Sequence, residues 1–225
     1  LVLVRLKNSA LLAGATLLIA IPISLVLGVI AALKQNSWID GTISVASLSV
    51  VGLPEFVSGI VLVNIFALRL GWFQATSLVT EGQSIVEWIR ILILPAITAS
   101  LVLIGYLTRM TRAGMVEELT KPYVRTALLK GLPRRRVIFG HVLRNALLPT
   151  ITVIAISIGW LIGGLVVIEN VFNYPGIGSL LVSAVTQKNL PILQAISVLV
   201  VFAFAFSNLV ADLLYAVLNP RVRLR

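Results

Sequence analysis

Residues 120–149 read TKPYVRTALLKGLPRRRVIFGHVLRNALLP, a basic stretch framed by two long apolar runs. Nine lysine and arginine residues fall between Arg109 and Arg144, whereas Ile91 to Thr108 before them and Asn145 to Ile168 after them carry no charge. A helix crosses a hydrocarbon layer about 30 Å thick with about 20 residues, so both flanks read as membrane spans joined by a basic loop. Three further runs reach that length: Asn8 to Leu33, Gly41 to Leu68 and Leu190 to Ala211. Across all five, Glu55 is the only charged residue.

Composition points the same way. The chain is 59% hydrophobic and 12% charged, with a mean hydropathy of +1.06, whereas soluble domains are about half apolar and about a quarter charged. A soluble core of this size cannot bury so much apolar surface. Strand-period alternation is absent, and a spanning segment must satisfy its own backbone, so the expected fold is an all-α polytopic membrane bundle of five spans rather than a barrel. No internal repeat or low-complexity linker divides it, and residues 1–225 read as a single domain.

Lysine and arginine collect on the cytoplasmic side. Placing the basic loop inside groups Lys34, the nine cations from Arg109 to Arg144, and Arg221, Arg223 and Arg225; only Arg5, Lys7, Arg69, Arg90 and Lys188 remain on the other side. The C-terminus is then expected in the cytoplasm and Leu1 outside. A chain that begins outside without a signal sequence reads as a six-helix protein entered at its second helix.

Several function classes drop out. A net charge of +10 raises the question of nucleic acid, but the cations sit beside apolar spans, where they act as topogenic signals. With no cysteine and a single histidine, His141, the chain offers neither thiolate chemistry nor a histidine metal cluster. It has no phosphate-binding glycine-lysine motif, so any ATP is hydrolysed elsewhere.

The loops carry the remaining organisation. Trp72 and Trp88 suit the headgroup level, and Gln83 to Arg90 reads as a short segment bearing Ile85, Val86, Trp88 and Ile89. An outer loop from about 169 to 190 contains the turn cluster Asn173, Tyr174, Pro175 and Gly176, then a helix from about Ile177 to Val185 that is too short to span. In the basic loop, about 109–148, Thr120 is expected to cap a helix from Lys121 to Lys130 that has Pro122 in its first turn and ends at Gly131. Its apolar side is expected at Val124, Ala127 and Leu128, and its basic side at Arg125 and Lys130. Spacing alone leaves open whether this helix docks a partner or is simply solvated.

YVRTALLKGL at 123–132 resembles the EAA loop of the permeases of dipeptide, oligopeptide and nickel ABC importers. HVLRNALLP at 141–149 resembles its second half, GGLVVIENVFNYPGIG at 163–178 the family's outer-loop signature, and DLLYAVLNPRVR at 212–223 its C-terminal end. Arg125 stands where the generic EAA loop has glutamate, and the interval from Gly131 to Pro149 is longer than usual, both as in the peptide and nickel branch. The resemblance implies a type I importer transmembrane subunit of a bacterial or archaeal plasma membrane, half of a path for short peptides, with nickel as the alternative cargo. It implies a second homologous permease, two ATPase subunits that hold ATP and magnesium, and an extracytoplasmic binding protein. Tyr123, Arg125, Thr126, Ala127, Lys130 and Gly131 become the ATPase-coupling residues, moved when the ATPases close. The chain itself binds no cofactor and is not an enzyme.

Other residues carry open readings. Gly131 and Pro149 shape the backbone. Glu55 either lines the path or holds a structural partner, since ionisable groups at membrane depth rarely face lipid. Asn64 and Asn208 read as interhelical glue, and Asp212, Arg109 and Arg112 as cytoplasmic-end groups that pair or reach headgroups. A secondary transporter or channel is the rival class, disfavoured because only Glu55 is ionisable within a span.

Overall fold

A computed structural model describes residues 1–78, 82 and 84–218. Helix α1 (Val2–Leu33) leads to α2 (Trp38–Gly52) and α3 (Glu55–Leu62), and α3 continues through a wide π-type turn, Val63–Arg69. After α4 (Ile85–Leu119) come α5 (Pro122–Leu129), α6 (Arg134–Val137), a second π-type turn (Ile138–Val142) and α7 (Leu143–Ala146). The chain closes with α8 (Leu148–Gly164), α9 (Val166–Val171), α10 (Ile177–Thr186) and α11 (Leu190–Leu218). The described residues contain no strand, and the protein is an all-α bundle of apolar, membrane-crossing helices.

α1 and α4 form the spine and run in the same direction. Leu12 and Ala13 share one cluster with Leu94, Ala96 and Ala99, while Ala32, at the other end of α1, packs with Met115. Backbones come close where side chains are small, the usual device when helices associate inside lipid. A Cβ on Gly105 would lie 2.6 Å from the Ser47 carbonyl of α2, and one on Gly114 would lie 2.5 Å from that of Ala146. Pro95 cannot donate to the Ile91 carbonyl one turn back; the buried Ser77 hydroxyl does so instead at 2.8 Å, tying the preceding loop to α4.

Among the described residues, three helices are long and apolar enough to cross a membrane alone, and five crossings result if each of two bent pairs counts as one. The run Gly41 to Leu68, expected as one continuous span, is an elbow: α2 and the helix from Glu55 to Arg69 meet at 103°. Leu53 is extended because the ring of Pro54 disfavours a helical conformation before it, and an apolar run with one internal proline hides that break. Asn145 to Ile168 is also interrupted, with a 46° bend at Leu147 and a further break at Leu165. The segment from Gln83 to Arg90 is no separate piece: Ser84 caps α4 by accepting from the Glu87 N–H, and Trp88 sits in its first turns. At its other end α4 continues to Leu119, so Arg109 and Arg112 belong to this long helix. Gln83 and Arg221, Arg223 and Arg225 lie outside the described residues, as does the end of the 212–223 signature.

Candidate functional site

The side-chain hydrogen-bond networks that join separate elements lie toward the two ends of the α1/α4 spine. At the C-terminal end of α4, Thr120 ends α4 and donates to the Glu117 carbonyl at 2.7 Å, so the expected cap of the next helix is displaced by one residue to Lys121. Pro122 then opens α5, where its missing N–H costs no hydrogen bond. The stop falls where the sequence places it. Gly131 adopts φ +77°, its N–H donates to the Leu128 carbonyl at 3.0 Å, and the Leu132 N–H donates to Ala127 at 3.3 Å, the paired bonds of a Schellman ending.

α5 is seated on one side and free on the other. Val124 is buried with Met115, Val137, Ile138, Val142 and Ala146, and Tyr123, Ala127 and Leu132 pack on the same cluster. The expected apolar side is corrected at Leu128, which is 43% exposed, and Leu129 beyond it is 80% exposed. Pro122, Arg125, Thr126 and Leu129 recur at helical spacing and are all exposed, so they form one free face. Lys130 and Gly131 are exposed at the helix end, whereas Ala127 is half-buried and belongs to the seat. The coupling residues read from sequence therefore divide: Arg125, Thr126, Lys130 and Gly131 are accessible, and Tyr123 and Ala127 hold the helix down.

An electrostatic knot fixes the start of α5. Lys121 pairs with Glu118, and with Glu117 at 3.4 Å, while the Tyr123 hydroxyl donates to Glu118 Oε2 at 2.7 Å. Glu118 holds the Lys121 ammonium above its ordinary value, and burial, followed by the Glu118 bond, pushes the Tyr123 phenol up. Nearby, Arg112 grips the buried Asp40 with two bonds, Nε to Oδ1 at 2.5 Å and Nη2 to Oδ2 at 2.7 Å, and the Asn36 N–H donates to Oδ2 at 3.0 Å. This bidentate pair pins the α1–α2 turn to α4. Sequence reading placed Arg112 but passed over Asp40, whose visible signal, Ser37 three residues earlier, speaks only of capping. Arg109 and Asp212 are exposed.

The opposite end is organised by Glu169, 1% exposed, which the sequence reading treated only as the edge of a loop. Oε1 accepts from the Ser9 hydroxyl at 2.5 Å, and Oε2 accepts from the Ser179 N–H at 2.9 Å in the first turn of α10. Ser9 in turn accepts from the Ile177 N–H at 2.8 Å. An acid at a helix N-terminus meets unpaired N–H groups and the positive end of the dipole. Gly176 must lack a side chain, since a Cβ there would overlap the carboxylate. The buried Tyr174 hydroxyl donates to the Asn8 carbonyl at 2.8 Å, and the Asn8 amide returns a bond to the Pro175 carbonyl at 2.9 Å. Burial raises both the Glu169 carboxyl and the Tyr174 phenol. The expected short helix is α10, held against α1 by this network. The available signal was a lone acid after fifty residues without one, followed by a turn and a helix start.

Glu55 lies in the first turn of α3, just past the elbow, rather than midway along a span. It is half-buried and, among the described residues, makes no hydrogen bond or ion pair. Gly59, one turn on, fits closely against Val171, Phe172 and Thr98, so α3 is braced on α4 and α9 while its acidic end stays unpaired. Asn64 is exposed and Asn208 half-exposed, and neither forms an interhelical hydrogen bond among the described residues.

Residues 24–224 match the family described as binding-protein-dependent transport system inner membrane component. A putative peptide transport system permease protein of Brucella abortus (strain 2308) is 41% identical over 97% of this chain and 70% of its own length. The oligopeptide transport system permease protein AppB of Bacillus subtilis (strain 168) is 38% identical over 99% of this chain and 71% of its own length. The di/tripeptide transport system permease protein DppB of Pseudomonas aeruginosa (strain UCBPP-PA14) is 38% identical over 93% and 68%.

Proposed function

This chain belongs to the family of binding-protein-dependent transport system inner membrane components, and we propose that it forms half of the path by which an ATP-driven importer admits short peptides. It is a permease subunit and not an enzyme. ATP and magnesium act on two partner ATPase subunits, a second homologous permease completes the pore, and an extracytoplasmic binding protein delivers the cargo. Peptide is favoured over nickel because the relatives above are named for peptides. The distribution of lysine and arginine supports an orientation with the α5 end and the C-terminus in the cytoplasm and the Glu169 end outside.

One observation carries the coupling role: α5 is clamped from beneath by Val124, Ala127, Tyr123 and the Glu118–Lys121 pair, yet presents Arg125, Thr126 and Leu129 outward. A rigid helix with a free face transmits displacement, whereas a loosely held loop would absorb it. Push on α5 reaches α4 through Met115 and α1 through Ala32, so force enters the spine directly. That is the rigid-body switching expected when two packings of one interface compete.

Leu129→Asp tests this. Leu129 is 80% exposed, so folded yield should hold. ATPase retention on the purified permease pair should fall by about tenfold or more, the size expected for an interface anchor, and transport should fall with it. Normal ATPase retention and transport would remove α5 from the interface.

A further inference from the structure

We propose that the outer side of the helix from Arg134 to Ala146 is a binding site for the phosphate headgroup of an anionic phospholipid. Val137, Ile138, Val142 and Ala146 turn inward, while Arg134, Arg135, Arg136, Phe139, Gly140, His141 and Arg144 are exposed. Four residues of ordinary α-helix overshoot a full turn by about 40°, but the wide turn Ile138–Val142 takes that rotation back. It thereby brings Arg136, Gly140 and Arg144 close to one line. Gly140 is the gap in that line: a Cβ there would meet nothing within 4 Å, and Pro133, Arg135, Arg136, Phe139 and Gly140 line a shallow depression open to the outside.

Charge and position select the occupant. From Leu119 to Ile168 the chain contains no acidic residue, and among the described residues none of Arg134, Arg135, Arg136 and Arg144 has a carboxylate partner. The helix runs through a 46° bend straight into the apolar α8, so Arg144 sits about one turn before the span and Arg136 about two turns further out along a slanted approach to it. An exposed phenylalanine among arginines at that level matches acyl chain beside phosphate, the composition of membrane-surface helices. Basic pockets beside spans hold anionic headgroups in this way. The site is separate from the free face of α5 and does not depend on which way the bundle is inserted.

The test uses the full permease complex in neutral detergent, with phosphatidylglycerol or phosphatidylcholine added and retained lipid read by native mass spectrometry. The native protein should keep phosphatidylglycerol selectively. The double variant Arg136→Gln, Arg144→Gln should lower its retention by about thirtyfold, from about 1 kcal/mol for each of two surface cations. Gly140→Leu fills the depression without altering charge and should also lower it, whereas Arg90→Gln at the opposite end should leave it unchanged. Equal retention by native protein, the double variant and Gly140→Leu would overturn the proposal. So would competition by soluble glycerol phosphate as effective as that by the lipid, which would mark a free-phosphate site. Loss of ATPase copurification with lipid retention intact would overturn it too, reassigning the stripe to a protein surface.

Discussion

At the α5 end, buried apolar side chains hold a helix whose charged groups face outward; at the Glu169 end, buried polar groups hold a helix whose apolar side faces inward. Val124 and Ala127 do for α5 what Glu169 and Ser9 do for α10. The contrast follows from where each helix begins. α5 starts at a chain reversal on Pro122, which has no N–H to satisfy, and the Val124 N–H donates to the Lys121 carbonyl at 3.1 Å, so no buried acid is needed there. α10 starts inside the protein against α1, and its first N–H groups would be orphaned without a buried acceptor, at about 1 to 3 kcal/mol each. The free face of α5 is open to a partner, whereas the acceptors that start α10 are all used within the chain.

The largest expected effect is all-or-none and asks whether the two ends lie on opposite sides of the membrane. The chain has no cysteine, so single replacements at Gln187 and Arg135 report cleanly. Gln187→Cys should react with an impermeant maleimide in intact cells, and Arg135→Cys only after permeabilisation. Labelling of both from outside would break the comparison at its root.

Next comes stability. Glu169→Ala strips acceptors from the Ser9 hydroxyl and the Ser179 N–H in a buried site and should lower unfolding free energy by about 2 to 5 kcal/mol. Thermal unfolding in detergent reads the loss. Glu169→Gln keeps one acceptor oxygen and should recover part of it, while Arg125→Gln, on the free face of α5, should change stability by less than about 0.5 kcal/mol. If Glu169→Ala were as mild as Arg125→Gln, the polar latch would be no more than a neutral contact.

The smallest effect falls between the ends. Glu55 is half-buried in the first turn of α3 and has no hydrogen bond or ion pair among the described residues, so Glu55→Gln should leave folded yield unchanged. If it faces the path, transport of peptides with a free amino terminus should drop by up to about fivefold, in the range of a weak exposed ion pair, and N-blocked analogues that still bind should be less affected. Equal loss for both cargoes would assign Glu55 a purely structural part.

Local chemistry made much of this protein legible without coordinates. Apolar length announces spans because lipid cannot satisfy a bare backbone, Pro122 and Gly131 punctuate α5 because each restricts or permits backbone angles at its own position, and Asn173 to Gly176 mark a turn for the same reason. Each depends on residues within a turn or two. The 103° elbow, the wide turn beneath Gly140, the grip of Arg112 on Asp40 and the Ser9–Glu169 contact depend on partners elsewhere. Asp40 and Arg112 stand 72 positions apart, and Ser9 and Glu169 stand 160 apart. Side-chain type says that a buried acid needs a donor. Only the packing of α1 and α2 on α4, and of α9 and α10 on α1, decides which donor arrives.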